Sequence, residues 1–463
     1  MFNQLKKLFT KNERTEKQIA EVVPKWTPFT GERLTTAHAT YIKEMVAAAG
    51  RVDKERSVFG ASTHKYRLKP VLSMAEVEAF EKRHQLTLPK DYVFFLTQVG
   101  NGGAGPYYGL SALEKVISSD EHAAAVSNEA LIDKALTKEK WKRIMDETEE
   151  DDDLYDEAMA RLYGGMLIVG TQGCTYDNLL LVNGSETGKI VYIDWNLDSD
   201  YGPYLTGMPF LDWYEQFFKE IIQGNSTTSY GYYRLGTEDE LKRAYPTAED
   251  KEKHDILRSL YRFSEVKEST IAFIQQRDNE ELDVLRVELL LKFNEKAAMT
   301  MFDRLLDGEN ISAAVACARR IPDELKDEYY GTLKDLLRNE ELQDKDSLIF
   351  FMKDCELFRG KDLIDFAMNE SVEEADRKTA VWAISNAKDR MDYLDKFILW
   401  MDEGSYWVAH AALQGMAREE HSKLVEAYYR MWEKYHEDQM MRSNLVTAFK
   451  NNGVQIEKGR GGK

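Results

Sequence analysis

Apolar residues recur at helical spacing in two neighbouring stretches of the chain. In SMAEVEAFEKRHQL, Ser73 and Glu76 form a capping-box pattern, and the apolar positions are Met74, Val77 and Phe80. In LTLPKDYVFFLTQV, a proline suits the first helical turn, and apolar residues follow at i, i+3, i+4 and i+7, namely Tyr92, Phe95, Leu96 and Val99. Two helices are therefore predicted between residues 73 and 99.

The pattern changes to that of β-strands over residues 164–203, where short β-rich runs alternate with Gly, Asn and Asp. In GKIVYIDW, alternate residues point to opposite faces, with Ile190, Tyr192 and Asp194 on one side. NGSETG is typical of a hairpin loop between two antiparallel strands. The apolar stripe of FLDWYEQFFKEII predicts a closing helix, so this part of the chain reads as an α+β domain with helices on an antiparallel sheet.

Beyond QGNSTTSYGYYRLG, every strong pattern is that of an amphipathic helix followed by a short turn. Such a succession favours an all-α array of the HEAT or armadillo kind, with a compact helical bundle as the alternative. The predicted organisation is an N-terminal extension (1–69), the α+β domain (70–223) with an acidic insertion at about 120–157, a linker (224–236), the helical domain (237–452) and a flexible tail (453–463).

Composition and charge limit the functions that fit this organisation. With 463 residues, the chain exceeds the size of one ordinary core. Its net charge of -19 argues against direct nucleic-acid binding and favours basic protein partners. No apolar run is long enough to span a bilayer, and three scattered cysteines suit a reducing compartment. A cytoplasmic protein without membrane insertion is expected, and its oligomeric state is not specified.

VGNGGAGPYYGL contains a formal GxGxxG, at Gly100, Gly102 and Gly105. A phosphate-binding loop of this kind needs a strand before it and a helix starting at its end. Here a predicted helix comes first, and Pro106 removes one amide donor. We therefore predict a helix end and a tight turn with positive φ rather than a nucleotide site.

Other residues with chemical potential lack the partners that their chemistry requires. Cys174 has no evident histidine base and is expected to be a buried structural thiol, while His38, His64, His84 and His122 lie in polar neighbourhoods typical of surfaces. The acidic run that includes Asp151, Asp152 and Asp153 lacks the spacing of a calcium loop. It predicts either a solvated loop or an acidic surface for a basic partner. No catalytic, cofactor-binding or metal-binding residue is predicted.

Tyrosines in loops are the better candidates for a binding surface, because tyrosine offers rigid apolar area with a polar end. Together with the acidic positions, they give a set of candidate partner-binding residues: Tyr107, Tyr108, Asp151, Asp152, Asp153, Tyr176, Asp194, Tyr201 and Tyr204.

Three stretches in this order, LPKDYVFFLTQVGNGGAGPYYGL, GTQGCTYDNLLLVNGSETGKIVYID and PFLDWYEQFFKEII, resemble the SUKH superfamily of Smi and Knr-like proteins over residues of about 70–222. The acidic insertion and the helical half depart from that family's minimal domain. The resemblance implies a non-catalytic bacterial immunity protein that docks on a polymorphic toxin, such as a nuclease, as in toxin–antitoxin pairs. The alternative is a regulatory or scaffold protein that binds an endogenous protein.

Overall fold

The computed structural model describes residues 27–133, 136, 139–143, 162–195, 202–339 and 341–455. The chain forms two compact units, of which the first ends at Val266 and the second begins at Lys267. Each unit has its own set of helices, and the β-sheet belongs to the first.

The first unit contains both helices that were predicted near its start. The Ser73–Glu76 capping box is present, with hydrogen bonds in both directions, and the second helix continues as one π-helical turn at Phe95–Val99. The α-helices of this unit are α1 (Thr36–Val52), α2 (Ala61–His64), α3 (Met74–His84), α4 (Lys90–Phe94), α5 (Asp120–Ala125), α6 (Phe210–Ile222), α7 (Glu238–Ala244) and α8 (Asp250–Ser259).

Four antiparallel strands form one sheet in sequence order: β1 (Met166–Gly173), β2 (Tyr176–Leu181), β3 (Lys189–Asp194) and β4 (Tyr204–Pro209). The predicted hairpin loop joins β2 to β3. Tyr176 pairs with Asp194, and Tyr192 pairs with Tyr204. Because directly paired residues point to the same face, this register brings Tyr176, Asp194 and Tyr204 to one end of the sheet on the face that carries Tyr192.

Both faces of the sheet are covered. On the Tyr192 face, Ile190 and Leu180 pack in a large core with residues of α1, α4 and α6. The opposite face, which includes Val191 and Ile193, packs against Ile132, a residue of the predicted acidic insertion. The insertion therefore supplies apolar residues as well as charge, and its most acidic part lies within residues 144–161, outside the described residues.

Residues 224–236, which the sequence predicts to be a linker, lie within the first unit. Tyr230 is fully buried in the large core, and its hydroxyl donates to the carbonyl oxygen of Trp213 at 2.5 Å. The first unit consequently continues to Val266, because this segment completes its core.

The second unit consists of helices stacked in two alternating layers. Helices α10, α12, α14, α16, α18 and α20 each contact the next of this series, and α11, α13, α15, α17 and α19 pack beside them. Gly415 of α18 permits a close approach, since a Cβ there would collide with Ser385 of α16. These neighbour-to-neighbour contacts are those of a helical array.

The helices of the second unit are α9 (Glu268–Ile274), α10 (Asp283–Phe293), α11 (Glu295–Arg304), α12 (Ile311–Ala318), α13 (Lys326–Asp335), α14 (Lys345–Asp354), α15 (Lys361–Met368), α16 (Glu374–Ser385), α17 (Leu394–Glu403), α18 (Tyr406–Met416), α19 (Ser422–Tyr435) and α20 (Gln439–Asn451). Within the described ranges, none of the helices in either unit combines the length and the apolar character needed to cross a membrane.

Candidate functional site

The glycine loop, residues 100–109, uses its backbone amides within the protein. The amide of Gly103 donates to Leu110, that of Ala104 to Arg67, and that of Gly109 to Pro106. The amide of Tyr108 donates to the carbonyl oxygen of Thr171 in β1 at 3.3 Å. A phosphate would need several of these donors to be directed at one point in solvent, so the loop does not have the donor arrangement of a phosphate cradle.

Positive φ angles occur in this loop at Gly102 (84°) and Gly103 (101°). A Cβ on Gly102 would lie 2.6 Å from the carbonyl oxygen of Ser111, and one on Gly103 would collide with the carbonyl oxygen of Arg67. The prediction of a tight turn with positive φ is confirmed. The function of these glycines is to let backbone segments approach each other, and this fixes the tyrosines that follow.

An exposed group of tyrosines lies at one end of the sheet, and we call it the tyrosine rim: Tyr108, Tyr176, Tyr204 and Tyr232. Tyr108, Tyr176 and Tyr204 are each more than a third exposed, and Tyr232 is partly buried. The ring of Tyr232 lies 4.9 Å from that of Tyr204. The ring of Tyr108 packs over Gly173, so closely that a Cβ on Gly173 would lie 2.8 Å from this ring. Gly173 in turn pairs with Tyr176 in the sheet.

Beneath the rim lies a buried aromatic floor that includes Tyr107 and Tyr192, with ring centroids 6.1 Å apart. The Tyr107 hydroxyl donates to the carbonyl oxygen of Tyr230 at 2.7 Å, and the Tyr192 hydroxyl accepts from Trp213 Nε1 at 2.7 Å. Burial raises the pKa of both tyrosines, so both stay protonated. Tyr107 is only 7% exposed, so it supports the rim from below instead of presenting its own ring.

Polar groups border the tyrosine rim. Asp194 is largely buried and accepts a 2.5 Å hydrogen bond from the Thr175 hydroxyl. Gln172 Nε2 donates to the Tyr232 hydroxyl at 3.4 Å and to Asn178 Oδ1 at 3.0 Å. Burial raises the pKa of Tyr232 to about 12, so its hydroxyl is a neutral donor at physiological pH. The rim thus combines ring surface with hydroxyl groups and one partly buried carboxylate.

The structure gathers five of the nine candidate residues at this end of the sheet: Tyr107, Tyr108, Tyr176, Asp194 and Tyr204. Asp151, Asp152, Asp153 and Tyr201 lie outside the described residues. Partner binding by any of the nine stays a prediction. Sequence reasoning missed Phe59 and Tyr232, although the aromatic content of SYGYYRLG was a signal that the segment does more than connect domains.

Two expectations about nucleophiles and bases were wrong. Cys174 is exposed, because it occupies the tight turn between β1 and β2 with a φ of 52°. His38, His64 and His122 are buried: His38 Nε2 lies 2.9 Å from Glu215, and His122 Nε2 lies 2.8 Å from the carbonyl oxygen of Met166. Such partners explain how polar rings are accommodated in a core.

Among the residues that the structure describes, no group of three His, Cys, Asp or Glu side chains is arranged to hold a metal ion. Cys174 has no hydrogen-bond or ion-pair partner in the described part of the chain.

Comparison with known protein families gives a match to the SMI1 / KNR4 family (SUKH-1) over residues 72–216. These residues make up slightly under a third of the chain, and they extend from just before α3 into α6. Searches of curated proteins and of solved structures gave no match. The chain therefore carries a segment similar to the SMI1 / KNR4 family (SUKH-1), followed by a large helical region.

Proposed function

We propose that this chain is a non-catalytic immunity protein that neutralises a bacterial toxin by docking on it through the tyrosine rim. The observation that carries the proposal is the exposed rim on a segment that matches the SUKH-1 family. The family match suggests an immunity-protein-like role. The identity of the partner as a toxin rests on the resemblance described above.

The physical character of the rim supports protein binding. Tyrosine rings contribute large contact areas at a low cost in conformational entropy, and binding hot spots are rich in tyrosine. The floor formed by Tyr107 and Tyr192 holds the rim in place before a partner arrives, which lowers the cost of association. The net charge of -19 favours the approach of a basic partner, such as a nuclease domain.

A binding role also fits what the reactive groups do. In the glycine loop, the amides of Gly103, Ala104 and Tyr108 donate to carbonyl oxygens of the protein itself. The buried rings of His38 and His122 also have partners. Catalysis by Cys174 would need a base to form the thiolate. We therefore propose that inhibition results from occupying the surface of the toxin, with no chemical step.

Co-expression of the full chain with the toxin domain encoded by a neighbouring gene tests the proposal. We expect growth to be rescued and the two proteins to co-purify. Tyr204→Ala should weaken binding about 10-fold or more, as expected for a hot-spot tyrosine. Tyr429→Ala is the matched control. Tyr429 is an exposed tyrosine like Tyr204, but it lies on a helix of the second unit, outside the tyrosine rim.

Absence of both rescue and co-purification would contradict the proposal. A stoichiometric protein partner recovered from a strain that lacks the toxin would instead support the regulatory or scaffold alternative.

A further inference from the structure

We propose that residues outside the family-matched segment complete the tyrosine rim and determine which toxin the chain recognises. Tyr232 lies beyond residue 216, and Phe59 precedes residue 72. The partner surface that fits them is a basic one that presents arginine side chains. This inference rests on the proposed function, because it concerns the same binding surface.

Tyr232 is packed into the rim by contacts from both sides. Its ring lies 4.9 Å from the ring of Tyr192 and 4.9 Å from that of Tyr204, and its hydroxyl accepts from Gln172. Tyr192, Tyr204 and Gln172 all belong to the family-matched segment. Tyr232 therefore extends the aromatic surface that the residues of the sheet form.

The backbone around Tyr232 has little freedom. Gly231 has a φ of 84° and lies so close to Tyr192 that a Cβ would collide with the Tyr192 hydroxyl. Next to it, Tyr230 is held at its carbonyl oxygen by the Tyr107 hydroxyl and donates its own hydroxyl to Trp213. The residue two positions before Tyr232 is thus held by hydrogen bonds to Tyr107 and Trp213 of the matched segment.

A buried ion pair clamps the whole added segment to α6. Arg262 Nη1 lies 3.1 Å from each carboxylate oxygen of Glu220, and Arg262 also donates to the carbonyl oxygen of Gly236. The amide of Ser226 donates to the carbonyl oxygen of Arg262 at 2.7 Å. These bonds tie both ends of residues 226–236 to one arginine, so the segment is built to hold a fixed position.

Phe59 extends the other side of the rim. Its side chain is 55% exposed, and its ring centroid lies 5.2 Å from that of Tyr108 in an edge-to-face arrangement. Gly60 follows with a φ of 82°, where a Cβ would collide with the carbonyl oxygen of Tyr107. Phe59 and Tyr108 thus place two exposed aromatic rings side by side at this edge of the rim.

The chemistry of the rim selects the partner group. Aromatic faces attract guanidinium groups, and Asp194 adds a carboxylate on the face of the sheet that carries Tyr192 and Tyr204. The acidic net charge acts in the same direction. The sheet therefore supplies the part of the binding surface that lies in the family-matched segment. Phe59 and Tyr232 add contacts at its edges that suit the arginines of one particular partner.

Calorimetric titration of the purified full chain with the toxin domain encoded by the neighbouring gene tests this inference. We expect Tyr232→Ala and Phe59→Ala each to raise the Kd at least about 10-fold. Tyr232→Phe should remain within about 3-fold of the wild type, because the ring is kept. Tyr429→Ala serves as the control, and hydrogen exchange of residues 226–236 reports whether each variant keeps the segment in place.

The outcomes separate this inference from the proposed function. If the wild-type chain binds while both alanine variants bind equally well, the inference is overturned and the proposed function stands. If the wild-type chain does not bind the toxin domain, both are overturned. If Tyr232→Ala and Phe59→Ala weaken binding while residues 226–236 keep their protection, the inference is supported.

Discussion

Removal of Arg262 should strongly destabilise the first unit. Arg262 and Glu220 are almost completely inaccessible to solvent, at 4% and 0% exposed. Arg262→Met leaves the Glu220 carboxylate buried without its cation, and such a loss costs about 3–5 kcal/mol. Gln216 Nε2 at 2.6 Å and Asn225 Nδ2 at 2.8 Å still donate to that carboxylate, so we expect a loss near the lower limit, about 3 kcal/mol.

The double variant Glu220→Leu with Arg262→Met removes both charges and the need to desolvate them. Replacing a whole buried pair by apolar residues is often close to neutral. We therefore expect the double variant to be more stable than Arg262→Met alone, with a coupling energy of about 2 kcal/mol or more.

Urea unfolding of the full chain, followed by hydrogen exchange of α6 and residues 226–236, measures these effects within the first unit. A destabilisation by Arg262→Met below about 1 kcal/mol would refute the reasoning, because that is the range of an exposed ion pair. Simple additivity of the two single variants would refute it as well, since independent sites add.

Three further predictions concern the loop, a buried histidine and the exposed cysteine. Gly103→Ala should destabilise the first unit by about 1–3 kcal/mol more than Gly207→Ala in urea unfolding, because both have positive φ but only at Gly103 would the Cβ collide with backbone. Burial lowers the pKa of His64 to about 4, despite the opposing effect of Asp53. As the pH falls, the unfolded chain therefore binds this proton before the folded chain does, and the free energy of unfolding decreases by about 2 kcal/mol from pH 7 to pH 5. His64→Gln should remove this contribution to the pH dependence, and an unchanged pH dependence would contradict the prediction. Cys174→Ala should keep full protection in the growth assay, and lost protection would argue for chemistry at this thiol.

Local patterns sufficed for the elements that carry their own signals. The Ser73 capping box marks the start of α3 because its hydrogen bonds join residues only three apart. The β-rich run GKIVYIDW gives β3, and both of its faces are buried. The antiparallel sheet and the helical array follow from such patterns, whereas β4 lies beyond the residues whose pattern predicts strands.

Burial that depends on distant partners could not be predicted in the same way. His38 lies in a polar stretch, but its ring is buried because Glu215, 177 residues away, supplies a hydrogen bond. SYGYYRLG has the glycine and polar residues of a linker, whereas Tyr230 is buried by contacts with Tyr107, 123 residues earlier. In both cases the buried polar group forms a hydrogen bond with a residue that is distant in the sequence. The local spacing of residues does not predict such a partner.

The glycine loop shows why a GxGxxG pattern alone does not make a phosphate cradle. A phosphate cradle needs amides that are free to point at a ligand, while this loop uses the amides of Gly103, Ala104 and Tyr108 to bind its own neighbours. These hydrogen bonds hold the loop in one conformation, and a preorganised binding surface requires such a fixed backbone. The exposed ring of Tyr108 is then held over Gly173 beside β2. The glycines thus hold Tyr108 in the position that the proposed binding surface requires.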